Sequence, residues 1–151
     1  MIPYGKNNIY SIASGAGKYL NSEFLDTLPE YEQLLLSHDW TFGVYGDFQD
    51  YSYLKSYEST VNCYVGLPNQ SFMYLNDADD YYLSMAGYQD DNLIYVHKLP
   101  SMYSDFVTNV HGLRPVICMK SSVQILSGSG TIDDPYTVLP QNAIEAGGIE
   151  E

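Results

Sequence analysis

The apolar positions of this chain change period along its length. From Lys18 to Leu36 they recur at helical spacing: Tyr19, Leu20, Phe24 and Leu28 share one face, and Pro29 interrupts the run. Pro29 also suits the first turn of a following helix that carries Tyr31, Leu34, Leu35 and Leu36. Two consecutive N-terminal helices are therefore predicted, ending near Ser37. From His38 onward the period shortens. His38 to Val44, Val61 to Val65, Tyr81 to Met85 and Leu93 to His97 are short β-branched or aromatic runs bounded by Gly, Pro, Asn and Asp. The last two, joined by Gly87 to Asn92, predict a hairpin. Pro115 to Met119, Val123 to Leu126 and Tyr136 to Leu139 predict three closing strands, with a glycine-rich turn (Ser127 to Thr131) and an Asp-Asp-Pro turn before the last. Residues 99 to 110 read as a loop or weak strand.

Helices first and short strands afterwards predict an α+β domain, with two helices beside a twisted antiparallel sheet. The organisation expected is a polar lead-in over 1–16, one domain over 17–139 and a disordered acidic tail over 140–151. No internal repeat is present.

Composition narrows the partners. The chain of 151 residues carries a net charge of -13 and only six Lys plus Arg, which disfavours nucleic acid and anionic membrane surfaces. No transmembrane span or signal peptide is visible, so membrane insertion of this segment is not expected. The turn-like sequence directly after Met1 suggests a trimmed chain or one domain of a longer one. The sixteen tyrosines suit half-buried rings on sheet faces, and contact surfaces in addition.

Chemistry is sparse. Cys63 and Cys118 stand in no metal or redox spacing; both fall in strand-like runs of one core, as a buried pair or a disulfide. His38, His97 and His111 are not placed by sequence beside either thiol, and His38 reads as a packed or capping residue. Trp40 reads as a core ring. Asn76 to Asp80 is acidic, but the glycine and closing glutamate of an EF-hand loop are missing, so a solvated loop is expected and no metal site is assigned. No cofactor motif is present. Arg114, the single arginine, leads into an apolar strand and is expected to be mostly buried against a carboxylate or backbone carbonyls, in a structural role.

Several segments together resemble a family. Tyr19-Leu20-Asn21-Ser22-Glu23-Phe24-Leu25, His38-Asp39-Trp40, Val65-Gly66-Leu67, Tyr81-Tyr82-Leu83-Ser84-Met85, Ile94-Tyr95-Val96, and above all Gly112-Leu113-Arg114-Pro115-Val116 with Ser127-Gly128-Ser129-Gly130-Thr131 and Asp134-Pro135-Tyr136 carry the likeness. They are similar to a domain of unknown function in surface and prepilin-like proteins of Gram-positive bacteria, related to the C-type-lectin-like and formylglycine-enzyme-like folds. Tyr82 stands where relatives carry tryptophan, and Met119 where they carry leucine. The resemblance implies an extracellular, cell-surface module with no assigned catalytic residues. Leu67-Pro68-Asn69 and Leu75-Asn76-Asp77 lack the residues of calcium-dependent sugar loops, and the two cysteines lack the arrangement of formylglycine-generating enzymes.

The function expected is a non-catalytic, adhesin-like or pilin-like module that binds glycan, surface protein or neighbouring subunits. The alternative is a purely structural subunit of a filament or surface layer. Alternation along the predicted hairpin puts Tyr81, Leu83, Ile94 and Val96 inward. Tyr82 and Tyr95 then face outward with Tyr88, beside Asp79, Asp80, Asp90 and Asp91, as a candidate contact surface.

Overall fold

The computed structural model describes residues 1–13, 15–43, 58–69, 80–86, 93–98, 101–131 and 133–139. Its architecture is mostly β. Among the described residues twelve strands form five small sheets, which corrects the expected pair of helices beside one twisted, C-type-lectin-like sheet. The strands are β1 (Ile2–Pro3), β2 (Leu35–Leu36), β3 (His38–Phe42), β4 (Ser59–Cys63), β5 (Val65–Gly66), β6 (Tyr81–Ala86), β7 (Leu93–Lys98), β8 (Ser101–Phe106), β9 (Val110–His111), β10 (Val116–Met119), β11 (Gln124–Ser127) and β12 (Thr137–Leu139). The sheets are β1-β9, β2-β10-β5, β3-β4, β6-β7-β8 and β11-β12. All named strand pairs are antiparallel.

One helical run survives at the N-terminus. It begins as α1 (Gly15–Tyr19), widens into a π-type turn over Leu20–Phe24 and tightens to a 3₁₀ turn over Leu25–Thr27. The widening has a cause. Asn21 leaves helical backbone angles (φ -100°, ψ 15°). Its side-chain amide donates to the Val65 carbonyl at 2.9 Å and accepts from the Val65 N–H at 3.0 Å. The amide thus pairs with β5 much as a neighbouring strand would.

The second predicted helix shrinks to one turn, α2 (Tyr31–Leu34). Glu30 before it is left-handed, with φ 54°, a strained value for a residue with a Cβ. Leu35 and Leu36 then extend and pair with Met119 and Cys118 of β10. Lys120 closes the turn, its N–H donating to the Leu34 carbonyl at 2.9 Å and its Nζ to the Glu32 carbonyl at 2.6 Å. Tertiary pairing has overridden a helical pattern that locally includes three consecutive leucines.

The lead-in is part of the core. Tyr4 and Tyr10 are buried, the Tyr4 N–H donates to the Val107 carbonyl at 3.0 Å, and Tyr10 stacks on Phe42 with ring centroids 3.7 Å apart. These rings pack with Leu20, Leu25, Leu35, Val65, Ile94 and Val96 in one cluster. Trp40 is half-buried. Its Nε1 donates to the Cys63 carbonyl at 3.0 Å and its ring lies on Gly66, where a Cβ would come within 2.6 Å of Cδ2. Cys63 is buried on β4 and Cys118 half-buried on β10; both are free thiols.

The closing signature forms the β11-β12 hairpin. Asp134 organises its turn: its carboxylate accepts from the Ser129 N–H at 2.8 Å, and its own N–H donates to Thr131 Oγ1 at 3.1 Å. Gly128 and Gly130 take φ 98° and 80° there. The expected tail over 140–151 lies outside the described residues.

Candidate functional site

The β6-β7-β8 sheet carries most of the polar chemistry. Its register sets Tyr82 opposite Val96 and Val96 opposite Tyr103 on one face. On the other face Tyr81 is opposite His97 and His97 opposite Met102. Gly112 adds a short parallel bridge to Tyr81, so the segment from His111 to Arg114 lies along the free side of β6. Both faces are covered. Tyr82, Ile94 and Val96 belong to the main core, while Tyr81 and Leu83 form a smaller cluster with Tyr95 and Met102 packed against it.

This register corrects the expected surface. Tyr82 is fully buried, and its hydroxyl donates to the Asn109 carbonyl. Its ring meets Tyr4 at 5.4 Å and His111 at 5.2 Å. Burial pushes the Tyr82 hydroxyl up to about 12. Tyr95 is half-buried on the opposite face, so the two tyrosines do not share a surface. Tyr88, Asp90 and Asp91 lie outside the described residues, as do Asn76 to Asp79.

On the Tyr82 face, His111 sits between two carboxylates. Its Nδ1 is 2.6 Å from Asp80 Oδ1 and its Nε2 is 2.8 Å from Asp105 Oδ2. The His111 side chain is 7% exposed, against 40% for Asp80 and 22% for Asp105. A ring protonated on both nitrogens donates to both acids. Asp105 also accepts from the Phe106 N–H and the Asn109 side-chain amide, each at 2.8 Å. Burial works against its ionisation, but the Phe106 N–H, His111 and Asn109 more than offset it, and the carboxyl titrates below its ordinary range. Asp80 is left-handed (φ 57°), and its carbonyl accepts from the Gly112 N–H at 2.8 Å. The cluster ties the start of β6, the end of β8 and β9 together. With both nitrogens turned to carboxylates, His111 has none directed at a substrate.

On the Tyr81 face, Arg114 departs from expectation. It is half-buried but meets no carboxylate among the described residues: its Cζ lies 5.2 Å from the centroid of the Tyr81 ring. Arg114 Nη1, the Tyr81 hydroxyl and His97 Nδ1 are each buried without a hydrogen-bond partner. The Tyr81 and His97 rings are 4.9 Å apart.

Among the described residues, no set of three or more His, Cys, Asp or Glu is arranged to hold a metal ion, and no helix is long and apolar enough to cross a membrane. Of the His111 cluster, only Asp80 stands out in the sequence, as one of an acidic stretch, and neither Asp105 nor His111 is singled out there. The three are separated by up to 31 residues along the chain (Asp80 to His111), and only strand register brings them together.

No protein-family model, no curated protein and no solved structure matches this chain.

Proposed function

We propose that the chain is a non-catalytic module of a bacterial cell surface, adhesin-like or pilin-like, that works through protein contact, including contact with neighbouring subunits. The observation that carries this reading is the β11-β12 hairpin. Ile125, Leu126 and Tyr136 on it are 61%, 52% and 54% exposed. Two strands alone are marginally stable in water, and apolar side chains grouped on an open ribbon suit coverage by another protein. Among the described residues no further strand pairs with either edge, which suits strand addition. The closure of His111 on two carboxylates supports the non-catalytic part, and the resemblance of the closing signature to surface and prepilin-like domains supports the location.

Sedimentation velocity in high salt, which screens the repulsion expected at a net charge of -13, tests the contact. Concentration-dependent association that disappears in an Ile125→Asp/Leu126→Asp variant is the expected result. A chain that stays monomeric at every concentration overturns the subunit contact. A glycan array, run with calcium and then with chelator, tests the competing ligand class, and strong glycan binding by both proteins overturns the hairpin as the contact.

A further inference from the structure

Among the described residues the one arginine of the chain meets no Asp or Glu, and its Nη1 is buried without a hydrogen-bond partner, as are the hydroxyl of Tyr81, whose ring it covers, and Nδ1 of His97, the cross-strand partner of Tyr81. Leaving a buried donor unpaired costs about 1–3 kcal/mol, and more for a charged group, so three together on one sheet face call for an acceptor. Tyr81 and His97 are 2% and 1% exposed, so bulk water does not serve them.

We propose that Arg114, Tyr81 and His97 form a binding site for a carboxylate. The chemistry matches at each group. A guanidinium presents a planar fork that suits a two-oxygen acceptor. The Tyr81 hydroxyl donates, and so does His97 Nδ1 in the tautomer that carries its proton there. Position matches as well. Tyr81 and His97 are cross-strand partners on β6 and β7, and Arg114 lies over the Tyr81 ring from the neighbouring segment. Access runs through Arg114. It is only half-buried, and a cation–π contact of about 1 kcal/mol holds it on the ring, so its guanidinium can lift to admit an acceptor. With a net charge of -13 the protein repels free anions, so the carboxylate is one carried by a molecule that makes other contacts: an acidic side chain of a polypeptide, or a sugar acid.

Because the chain has a single arginine, labelling with ¹⁵N-arginine gives one side-chain Nε–Hε signal. The signal is followed while the intact protein is titrated with acetate, glucuronate or a short glutamate-containing peptide. Parallel titrations use sodium sulfate and sodium phosphate, with sodium chloride controlling for ionic strength. A saturable shift with the carboxylates, beyond the chloride control, is expected, and the tighter of glucuronate and peptide names the source. Tyr81→Phe should weaken the carboxylate about tenfold, the effect of losing one hydrogen bond to a charged group, while its urea midpoint stays unchanged or rises because a buried orphan hydroxyl has gone. Arg114→Lys, which keeps the charge and loses the fork, should weaken it similarly. No shift beyond chloride, the result if ordered water alone satisfies these groups, overturns the proposal. Tighter binding of sulfate or phosphate, or Tyr81→Phe binding carboxylate as well as the parent does, also overturns it.

Discussion

Replacing Tyr82 tests the register of the β6-β7-β8 sheet most directly. The side chain is fully buried, its ring touches Tyr4 and His111, and its hydroxyl donates to the Asn109 carbonyl. Tyr82→Phe keeps the ring and leaves that carbonyl without this donor, which should cost about 1 kcal/mol. Tyr82→Ala also empties the ring's volume. Truncating a buried aromatic costs about 3–5 kcal/mol, so ring and hydroxyl together approach 4–6 kcal/mol. Domains of this size have only about 5–15 kcal/mol in total, so the alanine variant is expected at the edge of folding, and the phenylalanine variant keeps the test readable. Urea denaturation followed by circular dichroism gives the midpoint and slope of each protein. Phe106→Ser, at a position 55% exposed on β8, is the control and should shift stability by about 0.5 kcal/mol or less. If Tyr82→Ala behaves like Phe106→Ser, Tyr82 faces solvent and the assigned register is wrong by one residue.

Gly66→Ala forces a Cβ to within 2.6 Å of the Trp40 ring, so it should lower the urea midpoint and shift the emission of the single tryptophan. Asp105 titrates below its ordinary range in the folded chain, so the stability it contributes is fully present above the unfolded carboxylate value near ~4 and is lost as pH falls through the lower folded value. Asp105→Asn should therefore be less stable than the parent at neutral pH, with the gap in melting temperature closing as the pH drops below about 4; a constant gap down to pH 2 would contradict this. Burial pushes the Cys63 thiol up to about 11, so a thiol reagent at neutral pH should modify Cys118 first and reach Cys63 only on unfolding, as peptide mapping would resolve.

Strand content was readable where apolar runs were bounded by turn residues. β3, β4, β6, β7, β10, β11 and β12 lie within a residue or two of their predicted positions. The same local rule failed at Leu35 and Leu36, because helical spacing there competes with a partner strand more than eighty positions away in the sequence, and β10 wins. It also failed at the lead-in. Tyr4 and Tyr10 sit in a polar, glycine-bearing stretch with no periodicity, yet Tyr4 is fixed by the Val107 carbonyl and Tyr10 by Phe42. β8 was read as a loop or weak strand because Ser101 to Phe106 mixes small, acidic and aromatic residues. Its place is set by six consecutive partners on β7.

The candidate surface failed for a sharper reason. Side chains alternate with a period of two, so grouping Leu83 with Ile94 and Val96 differs from the true register by one residue, and one residue moves every side chain to the opposite face. A strand buried on both faces gives no solvent side to anchor the choice: Tyr81, Tyr82 and Leu83 are all buried. β6 also carries an irregularity between Tyr82 and Ala86, where the pairing with β7 shifts, so simple alternation does not hold along the whole strand. Once Tyr82 pairs with Val96, Tyr81 must pair with His97, and the face that receives Arg114 follows from that pairing. The unsatisfied groups of Arg114, Tyr81 and His97 and the saturated His111 therefore share one origin. A single register sends one histidine toward two carboxylates and sets the other beside the tyrosine that the arginine covers.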